Sequence, residues 1–208
     1  SYSVEENPRW KDSISLAKEL FDATHEESRK LITTNNDYLN AQVNFKITDV
    51  NITSFFDKNK HQVVFLGGFI SSNSNHETTT LGRGGSDYSA TIIGSCIKAD
   101  EIWLMSDVDG LMTADPKIVK NAKLLKEVSY TEAIEMALFG AKQIHPRTFE
   151  PLLAKKIPMK IRNSFSTRYE GTLVTASPSA SVKKTVKCVS NIRNNGLIDI
   201  RGGSMIGT

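Results

Sequence analysis

A glycine-rich stretch over residues 78–87, TTTLGRGGSD, combines residue types that can bind an anion. Three glycines within four positions leave the backbone free to turn, so that several N–H groups can converge on one negative charge. The stretch opens a predicted helix over residues 86–97, whose positive end also favours an anion. Arg83 lies inside the loop and offers a planar fork for a carboxylate or a phosphate, while Ser86 and Asp87 stand at the helix start.

A simpler interpretation of this loop is that Ser86 or Asp87 caps the helix and that the glycines form a tight turn. The loop matches neither the phosphate-binding pattern GxxxxGK[ST] nor GxGxxG followed by an acid. Residue chemistry alone therefore leaves anion binding and plain capping both open.

A second polar loop, SDVDGLMTADPK, follows an apolar run and occupies residues 106–117. Its acidic start resembles part of a calcium loop, but the later ligands and the closing glutamate are absent, which excludes an EF-hand. An acidic turn remains the plain alternative for this loop.

The histidines of the chain do not indicate a metal site. His25, His61 and His76 lack metal-ligand spacing, and His145, which precedes a proline, is interpreted as structural.

The elements that must position these loops follow from hydrophobic patterning. Apolar runs predict buried strands, and amphipathic stretches between them predict helices, one of which opens with a Ser129–Glu132 capping box. The alternation indicates an α/β fold with a mainly parallel sheet, in which ligands lie beyond the carboxyl ends of the strands. The predicted strands are Val63–Leu66, Ile102–Met105 and Pro158–Ile161, and the other predicted helices are Trp10–Arg29 and Pro146–Lys156.

Three further segments have less regular patterns. Residues 31–44 are polar and rich in asparagine, which predicts a loop or a surface edge, and residues 47–59 predict a short strand and then a short helix. The small polar run Thr175–Ser181 is typical of a linker, and the alternation over Val186–Ile200 predicts strands beyond it.

The amino-acid composition of the chain limits the classes of partner that it is expected to bind. The 208 residues carry a net charge of +3, with 39% hydrophobic and 24% charged residues, as in an ordinary globular protein. This balance argues against nucleic acid or a membrane as the main partner. The sequence contains neither a signal peptide nor a membrane-spanning run. Its two cysteines, Cys96 and Cys188, form no framework and suit buried positions in a reducing cytoplasm.

Several blocks together resemble the aspartate kinase family in order and spacing. The resemblance runs from about Gly68 to Val174 and implies the amino-acid kinase fold, a mostly parallel sheet sandwiched by helices. It further implies a catalytic domain over residues 1–176, then a linker and the first strands of an ACT-type regulatory domain over residues 177–208. The blocks are Gly68-Phe69-Ile70, TTTLGRGGSDYSA at 78–90, residues 106–117, Phe139–Pro146 and Glu170-Gly171-Thr172.

The resemblance also implies roles for individual residues. Arg83 and Ser86 would bind the substrate, and Asp87 and Lys142 would be catalytic, although a lone lysine is usually a surface charge. Tyrosine and arginine are frequent in the family at the positions of Met112 and Lys117. The residues implied to contact nucleotide are Gly68, Gly84, Gly85, Ser106, Asp107, Met112, Asp115, Lys117 and Lys142.

By the same resemblance, the chain would transfer the γ-phosphoryl group of ATP, bound with Mg²⁺, to the β-carboxylate of L-aspartate. The product, 4-phospho-L-aspartate, begins lysine, threonine and methionine biosynthesis. Lysine or threonine would act as an allosteric ligand on a homodimer or a larger assembly. The alternatives are a kinase for glutamate, acetylglutamate, carbamate or a nucleoside monophosphate, and a non-catalytic module that binds an amino acid or a nucleotide.

Two family segments are not found in the sequence. One is a Lys-Phe-Gly-Gly-Thr-Ser loop that contacts phosphates, and the other is a Gly-Glu-Arg segment for the substrate amino group. The helix that ends near Lys30 runs directly into Leu31, where the family has a long intervening stretch. We therefore expect the chain as it stands to be weakly active or inactive.

Overall fold

The computed structural model describes residues 25–60, 63–139, 144–166, 170–178, 186–191 and 196. Within these ranges, no helix is both long enough and apolar enough to cross a bilayer. Residues 25–31 are helical and are called α1. The other elements are β1 (Thr33–Thr34), α2 (Phe45–Lys58), β2 (Ile70–Asn73), β3 (Thr78–Thr80), α3 (Gly85–Cys96), β4 (Ile102–Ser106), β5 (Glu127–Ser129), α4 (Tyr130–Leu138), a 3₁₀ helix (Pro146–Phe149), α5 (Glu150–Leu153), β6 (Met159–Asn163) and β7 (Thr172–Thr175).

The described strands form two sheets. The first has the order β1-β2-β3, and the second has the order β4-β6-β7-β5. The pairs β1–β2, β4–β6 and β5–β7 are parallel, whereas β2–β3 and β6–β7 are antiparallel. Parallel pairs thus predominate and helices flank the sheets, which confirms the predicted α/β class.

The core of the second sheet confirms two predicted strands. Leu104 of β4 lies opposite Ile161 of β6, and both side chains are buried. Phe149 and Leu152, from the 3₁₀ helix and α5, are fully buried in the same cluster. These two short helices fall within the predicted helix Pro146–Lys156, although they end at Leu153.

Helix α4 begins as its sequence predicts. The Ser129 side chain accepts a hydrogen bond from Glu132 N, and the Glu132 carboxylate accepts one from Ser129 N. This reciprocal pair satisfies two of the N–H groups that a helix start leaves free. Helix α4 ends at Leu138.

Helix α3 connects the part of the molecule that contains the first sheet with the part that contains the second sheet. It packs against α2 from the first part and against α5 and β4 from the second. The approach to β4 is close, because a Cβ atom on Gly94 would lie 2.4 Å from Ile102 Cδ1. The helix therefore fixes the glycine-rich loop at its N-terminus relative to the second sheet.

The end of α3 offers a stability test. Ala99 N donates to Gly94 O and Lys98 N donates to Ser95 O, the two bonds of a Schellman motif, with Lys98 at a φ of 53°. Because glycine adopts this left-handed conformation without the strain of a Cβ atom, we expect Lys98→Gly to raise the free energy of unfolding by about 1 kcal/mol. Urea denaturation would measure the change.

The matched control for this change is Lys98→Ala, which also removes the charged side chain but keeps the Cβ atom. The alanine variant is expected to show no comparable gain. An equal gain in both variants would assign the effect to the lysine side chain and contradict the backbone argument.

Two local expectations are wrong, and a third, that residues 31–44 form a loop or a surface edge, is confirmed for the exposed residues 35–40 but wrong for residues 31–34. Val63–Leu66 forms no strand, and Val63 and Phe65 are 85% and 66% exposed, because an apolar run becomes a buried strand only where neighbouring strands pair with it. Residues 47–59 contain no strand but belong to one helix, α2, capped by the side chain of Asn44. Residues 31–34 are buried, since hydrogen bonds such as Thr34 Oγ1 with Thr79 Oγ1 satisfy their polar side chains.

Both cysteines have free thiols, with Cys96 buried and Cys188 half-buried. Burial raises the pKa of Cys96 to about 12, so the thiol is protonated at neutral pH. The two residues serve as small apolar side chains, as expected.

The segment 186–191 returns to the second sheet after the predicted linker. Val189 N donates to Thr113 O at 2.9 Å, Lys187 Nζ forms an ion pair with Glu132 at 2.6 Å, and Cys188 packs against the core. These residues form no strand, and the rest of the strands predicted over 186–200, apart from Gly196, lies outside the described residues.

Candidate active site

The segment 67–69 lies directly against the glycine-rich loop. Leu81 N donates to Phe69 O at 3.0 Å. A Cβ atom on Gly68 would lie 3.0 Å from Ser86 Cα, and one on Gly85 would lie 2.6 Å from the Phe69 ring. The three residues Gly68, Gly85 and Ser86, all predicted to line the site, are therefore brought together.

Two serine side chains hold this segment in place. Ser28 Oγ accepts from Gly67 N at 2.7 Å. Ser89 Oγ accepts from Phe69 N at 2.9 Å and donates to Gly85 O at 2.8 Å. The segment is thus tied to both α1 and α3, and Phe69 adopts a positive φ of 73° within it.

Helix α3 begins without a side-chain cap. Its N-cap residue is Gly84, with a φ of 70°, and neither Ser86 nor Asp87 caps it. The capping interpretation of these two residues is therefore wrong. Gly85 N donates to Gly82 O at 3.0 Å, and the absence of a side-chain acceptor leaves the next N–H groups of the helix start available to an anion, which favours the anion-binding interpretation.

The three polar side chains of the loop differ in exposure. Arg83 and Ser86 are exposed, whereas Asp87 is half-buried in the first turn of α3. Burial raises the pKa of the Asp87 carboxyl above its ordinary value, and within the described ranges no group forms a hydrogen bond or an ion pair with it. A half-buried carboxylate without such a partner is suited to hold a cation or a cationic side chain.

The second predicted loop begins at the carboxyl end of β4, where parallel β6 also ends. Ser164 N donates to Ser106 O at 2.7 Å, and Asn163 Nδ2 donates to Asp109 Oδ1 at 2.7 Å. The Ser106 hydroxyl contacts Asp107 Oδ1 at 3.2 Å. Sequence reasoning missed Asn163, although its place at the end of a predicted parallel strand was a usable signal.

The rest of this loop is fixed by local bonds. Met112 pairs with Leu124 in a single bridge, and Asp115 Oδ1 accepts from Lys117 N at 2.8 Å. Asp115 and Lys117 are both exposed, and the bond between them forms a turn of its own. The structure therefore gives the Asp115 carboxylate a structural role, while its predicted contact with nucleotide remains a prediction.

Gly110 lets the loop pass beneath Thr172. A Cβ atom on Gly110 would lie 2.6 Å from Thr172 Oγ1, and the glycine adopts a φ of 138°. Thr172 Oγ1 accepts from Leu111 N at 2.8 Å and donates to Leu125 O at 2.6 Å. This buried hydroxyl joins the Glu170-Gly171-Thr172 block to the second loop.

The predicted residues thus form two groups, one around the α3 N-terminus and one at the ends of β4 and β6. Within the described ranges, no hydrogen bond joins a predicted residue of one group to a predicted residue of the other, and Lys142 lies outside the described residues. The two best-defined concavities of the described chain contain neither group. An open one of about 500 Å³ follows α2 from Asp49 to Lys58, and another of about 480 Å³ lies between residues 98–100 and 155–158.

Metal-ligand clusters do not occur in this part of the chain: among the described residues, no three His, Cys, Asp or Glu side chains are grouped to hold an ion. A metal that enters this site would therefore depend on one or two carboxylates and on oxygen atoms from a ligand.

Comparison with known proteins places these motifs in a family. A bifunctional aspartokinase/homoserine dehydrogenase from Buchnera aphidicola is 38% identical over 176 residues, which are 84% of this chain and 21% of that protein. The crystal structure of E. coli aspartokinase III with aspartate and ADP matches with a TM-score of 0.70 at 35% identity, over 73% of this chain and 34% of that one. The same enzyme with lysine and aspartate matches with a TM-score of 0.64 at 37% identity, over 70% and 33%.

The chain spans about a fifth of the length of the Buchnera relative and about a third of each solved chain. The family model itself, described as the amino acid kinase family, matches residues 12–163. This range contains the glycine-rich loop, the loop after β4 and the strand β6 that adjoins it. The chain belongs to the amino acid kinase family.

Proposed function

We propose that this chain carries the catalytic machinery of an aspartate kinase, which transfers the γ-phosphoryl group of ATP to the β-carboxylate of L-aspartate. The observation that carries the proposal is the uncapped start of α3, with Arg83 exposed beside it and the Asp87 carboxylate half-buried in its first turn. The similarity to aspartokinase structures that hold aspartate and ADP supports it.

In this proposal, Arg83 binds the carboxylate of the amino acid through its planar fork, and Ser86 lies beside the substrate. A β-carboxylate oxygen attacks the γ-phosphorus while the bond to the departing ADP oxygen breaks. The transferring group needs in-line positioning and neutralised charge more than covalent help from the protein. Asp87 fixes the cations that surround this group, and Lys142 is proposed as one of them.

The second loop supplies the nucleotide contacts. Ser106 and Asp107 stand at the carboxyl end of β4, where a parallel sheet presents ligands, and Asn163 keeps Asp109 in place beside them. Met112 would pack on the base, and Lys117 would meet a phosphate with a single charge. Gly68 and Gly84 give the phosphates access to backbone N–H groups, and Gly85, whose own N–H donates to Gly82 O at 3.0 Å, has no Cβ atom to hinder their approach.

Mg²⁺ is proposed as the ion that accompanies ATP and neutralises phosphate charge. The donor set fits such an ion, because Asp87 has no partner among the described residues and Mg²⁺ needs only one or two carboxylates besides phosphate and water. No further metal ligand is required of the chain.

Regulation and assembly are part of the same proposal. We infer that residues beyond the linker begin an ACT-type domain that binds lysine or threonine and pairs into a homodimer or a larger assembly in the cytoplasm. The aspartokinase III structure with lysine supports a regulatory amino acid. The bond from Val189 to Thr113 and the ion pair from Lys187 to Glu132 offer a direct route from this tail to the nucleotide loop.

The test is ATP-dependent formation of aspartyl phosphate, trapped as the hydroxamate with hydroxylamine. The chain and the complete protein that contains it would be assayed in parallel with aspartate, glutamate, acetylglutamate and uridine monophosphate, with ADP release measured for every acceptor because uridine monophosphate forms no acyl phosphate. We expect a product with aspartate alone, and a lower rate for the isolated chain.

Preference for another acceptor would replace aspartate in the proposal. Binding of aspartate or ATP without turnover in the complete protein would instead identify a non-catalytic module.

A further inference from the structure

Arg147, on the 3₁₀ helix that follows His145, lies beneath the glycine-rich loop. Its guanidinium group reaches two distant segments of the chain at once. Nη1 donates to Leu81 O at 3.4 Å and to Asn40 Oδ1 at 3.1 Å, and Nη2 donates to Ala41 O at 3.2 Å. Leu81 immediately precedes Gly82, the first glycine of the loop, so one side chain ties this part of the loop to residues 40–41.

The glycines on either side of Arg83 rest on residues that Arg147 holds. A Cβ atom on Gly82 would lie 2.5 Å from Asn40 Oδ1, the oxygen that accepts from Arg147. A Cβ atom on Gly84 would lie 2.6 Å from His145 Cβ. His145 Nδ1 in turn accepts from Arg147 N at 3.3 Å.

Arg147 also contacts the helix that the loop opens. Its guanidinium carbon lies 4.7 Å from the ring centroid of Tyr88, a buried residue in the first turns of α3. Arginine presents five N–H donors in a rigid planar fork that can also stack on an aromatic ring, whereas the compact ammonium of lysine has neither the plane nor the fork. Arg147 thus holds Leu81 in the loop, Tyr88 in the helix that follows, and the residues Asn40 and His145 on which the loop glycines rest.

We propose that Arg147 is a positioning residue for substrate binding, because it sets the place from which Arg83 meets the acceptor carboxylate. This inference rests on the proposed function. Arg147 does not touch the substrate in this account; it fixes the backbone on both sides of the residue that does. A loop displaced by about 1 Å would align the Arg83 fork poorly with a carboxylate and weaken its binding.

The test is Arg147→Lys in the complete protein, which keeps the charge and removes the fork. We expect the KM for aspartate to rise on the order of tenfold. The reason is that a misaligned Arg83 loses about the binding free energy of one charge-assisted hydrogen bond to the acceptor carboxylate. The KM for ATP should rise by a smaller factor, because only Gly84 and Gly85 of this loop meet the phosphates in the proposal, and the nucleotide loop is held by Thr172 and Asn163 instead.

Two further measurements separate positioning from general stability. Hydrogen exchange should become faster at the amides of residues 81–85 but not in β4 or β6. Arg29→Lys is the matched control, because Arg29 Nη1 likewise donates to a loop carbonyl, that of His76, at 2.7 Å, and pairs with Glu26. The control should leave the KM for aspartate unchanged.

If Arg147→Lys fails to fold, Asn40→Ala is the variant to test instead. Asn40 is exposed, and its replacement removes only one of the hydrogen bonds that Arg147 donates. It should raise the KM for aspartate in the same direction by a smaller factor. An unchanged KM and unchanged exchange in both variants would overturn the inference. If the wild-type protein forms no aspartyl hydroxamate, the proposed function fails, and hydrogen exchange still decides whether Arg147 fixes the loop.

Discussion

Asp87→Asn is expected to lower kcat by on the order of 10²-fold, while the KM for ATP stays within about threefold of wild type. The substitution keeps the shape of the side chain and removes the charge that, in the proposed mechanism, fixes cations around the transferring phosphoryl group. That charge matters most in the transition state, so turnover suffers more than binding. Steady-state kinetics on the complete protein would measure both constants.

The stability of the same variant distinguishes a functional carboxylate from a structural one. Burial raises the pKa of Asp87, so the folded state holds its proton more tightly than the unfolded state and loses stability as pH rises through the range above 3.8. At neutral pH, Asp87→Asn should therefore be at least as stable as wild type. This advantage should shrink as the pH falls and the wild-type carboxyl becomes protonated.

Asp57→Asn is the matched control, because Asp57 is an exposed aspartate that pairs with Lys60 at 3.1 Å at the end of α2. We expect no change in kcat for this variant. Wild-type turnover in Asp87→Asn would remove Asp87 from the mechanism, and a large loss of stability would show that the carboxylate is structural.

Gly171→Ala is expected to lower the free energy of unfolding by about 3 kcal/mol. A Cβ atom on Gly171 would lie 2.1 Å from Ile161 O and 2.9 Å from Arg162 Cγ, at a φ of 87°. The first of these neighbours is a backbone atom of β6, so the strand itself would have to move. For a chain of this size, the melting temperature should fall by roughly 6–12 °C.

The control for this change is Gly196→Ala, because no atom of the described residues lies within 4 Å of the Cβ position there. We expect its stability to stay within about 0.5 kcal/mol of wild type. Differential scanning calorimetry on both variants would compare them, and equal melting temperatures would contradict the close packing of Gly171 on β6.

Local patterns predicted most of the elements around the site. The apolar runs at β4 and β6, the capping box of α4 and the helix after the glycine-rich loop all formed where their residues indicated. Each depends on side-chain periodicity or on bonds within four residues along the chain, which a sequence displays directly.

The prediction of a strand at Val63–Leu66 was wrong because strand pairing, unlike these patterns, depends on distant residues. Four consecutive apolar residues satisfy the pattern of a buried strand, but pairing depends on neighbours that the pattern does not identify. The strand formed instead at Ile70–Asn73, where β1 and β3 supply partners on both edges. Thr34 of β1 and Ser71 of β2 are buried there because both side chains form hydrogen bonds with Thr79 of β3, whereas their polar composition predicted an exposed segment.

The sequence by itself determined the family resemblance, the α/β class and the candidate residues of the glycine-rich loop and of the loop after β4. Only the tertiary structure decided that Gly84, and neither Ser86 nor Asp87, begins α3, and that Arg147 reaches Asn40 across 107 positions of the chain. The physical reason is that helix periods and capping boxes such as that of α4 are set by residues a few positions apart, whereas Gly84 lies at the N-cap of α3 against the distant His145. The partners of a loop depend instead on how whole elements pack.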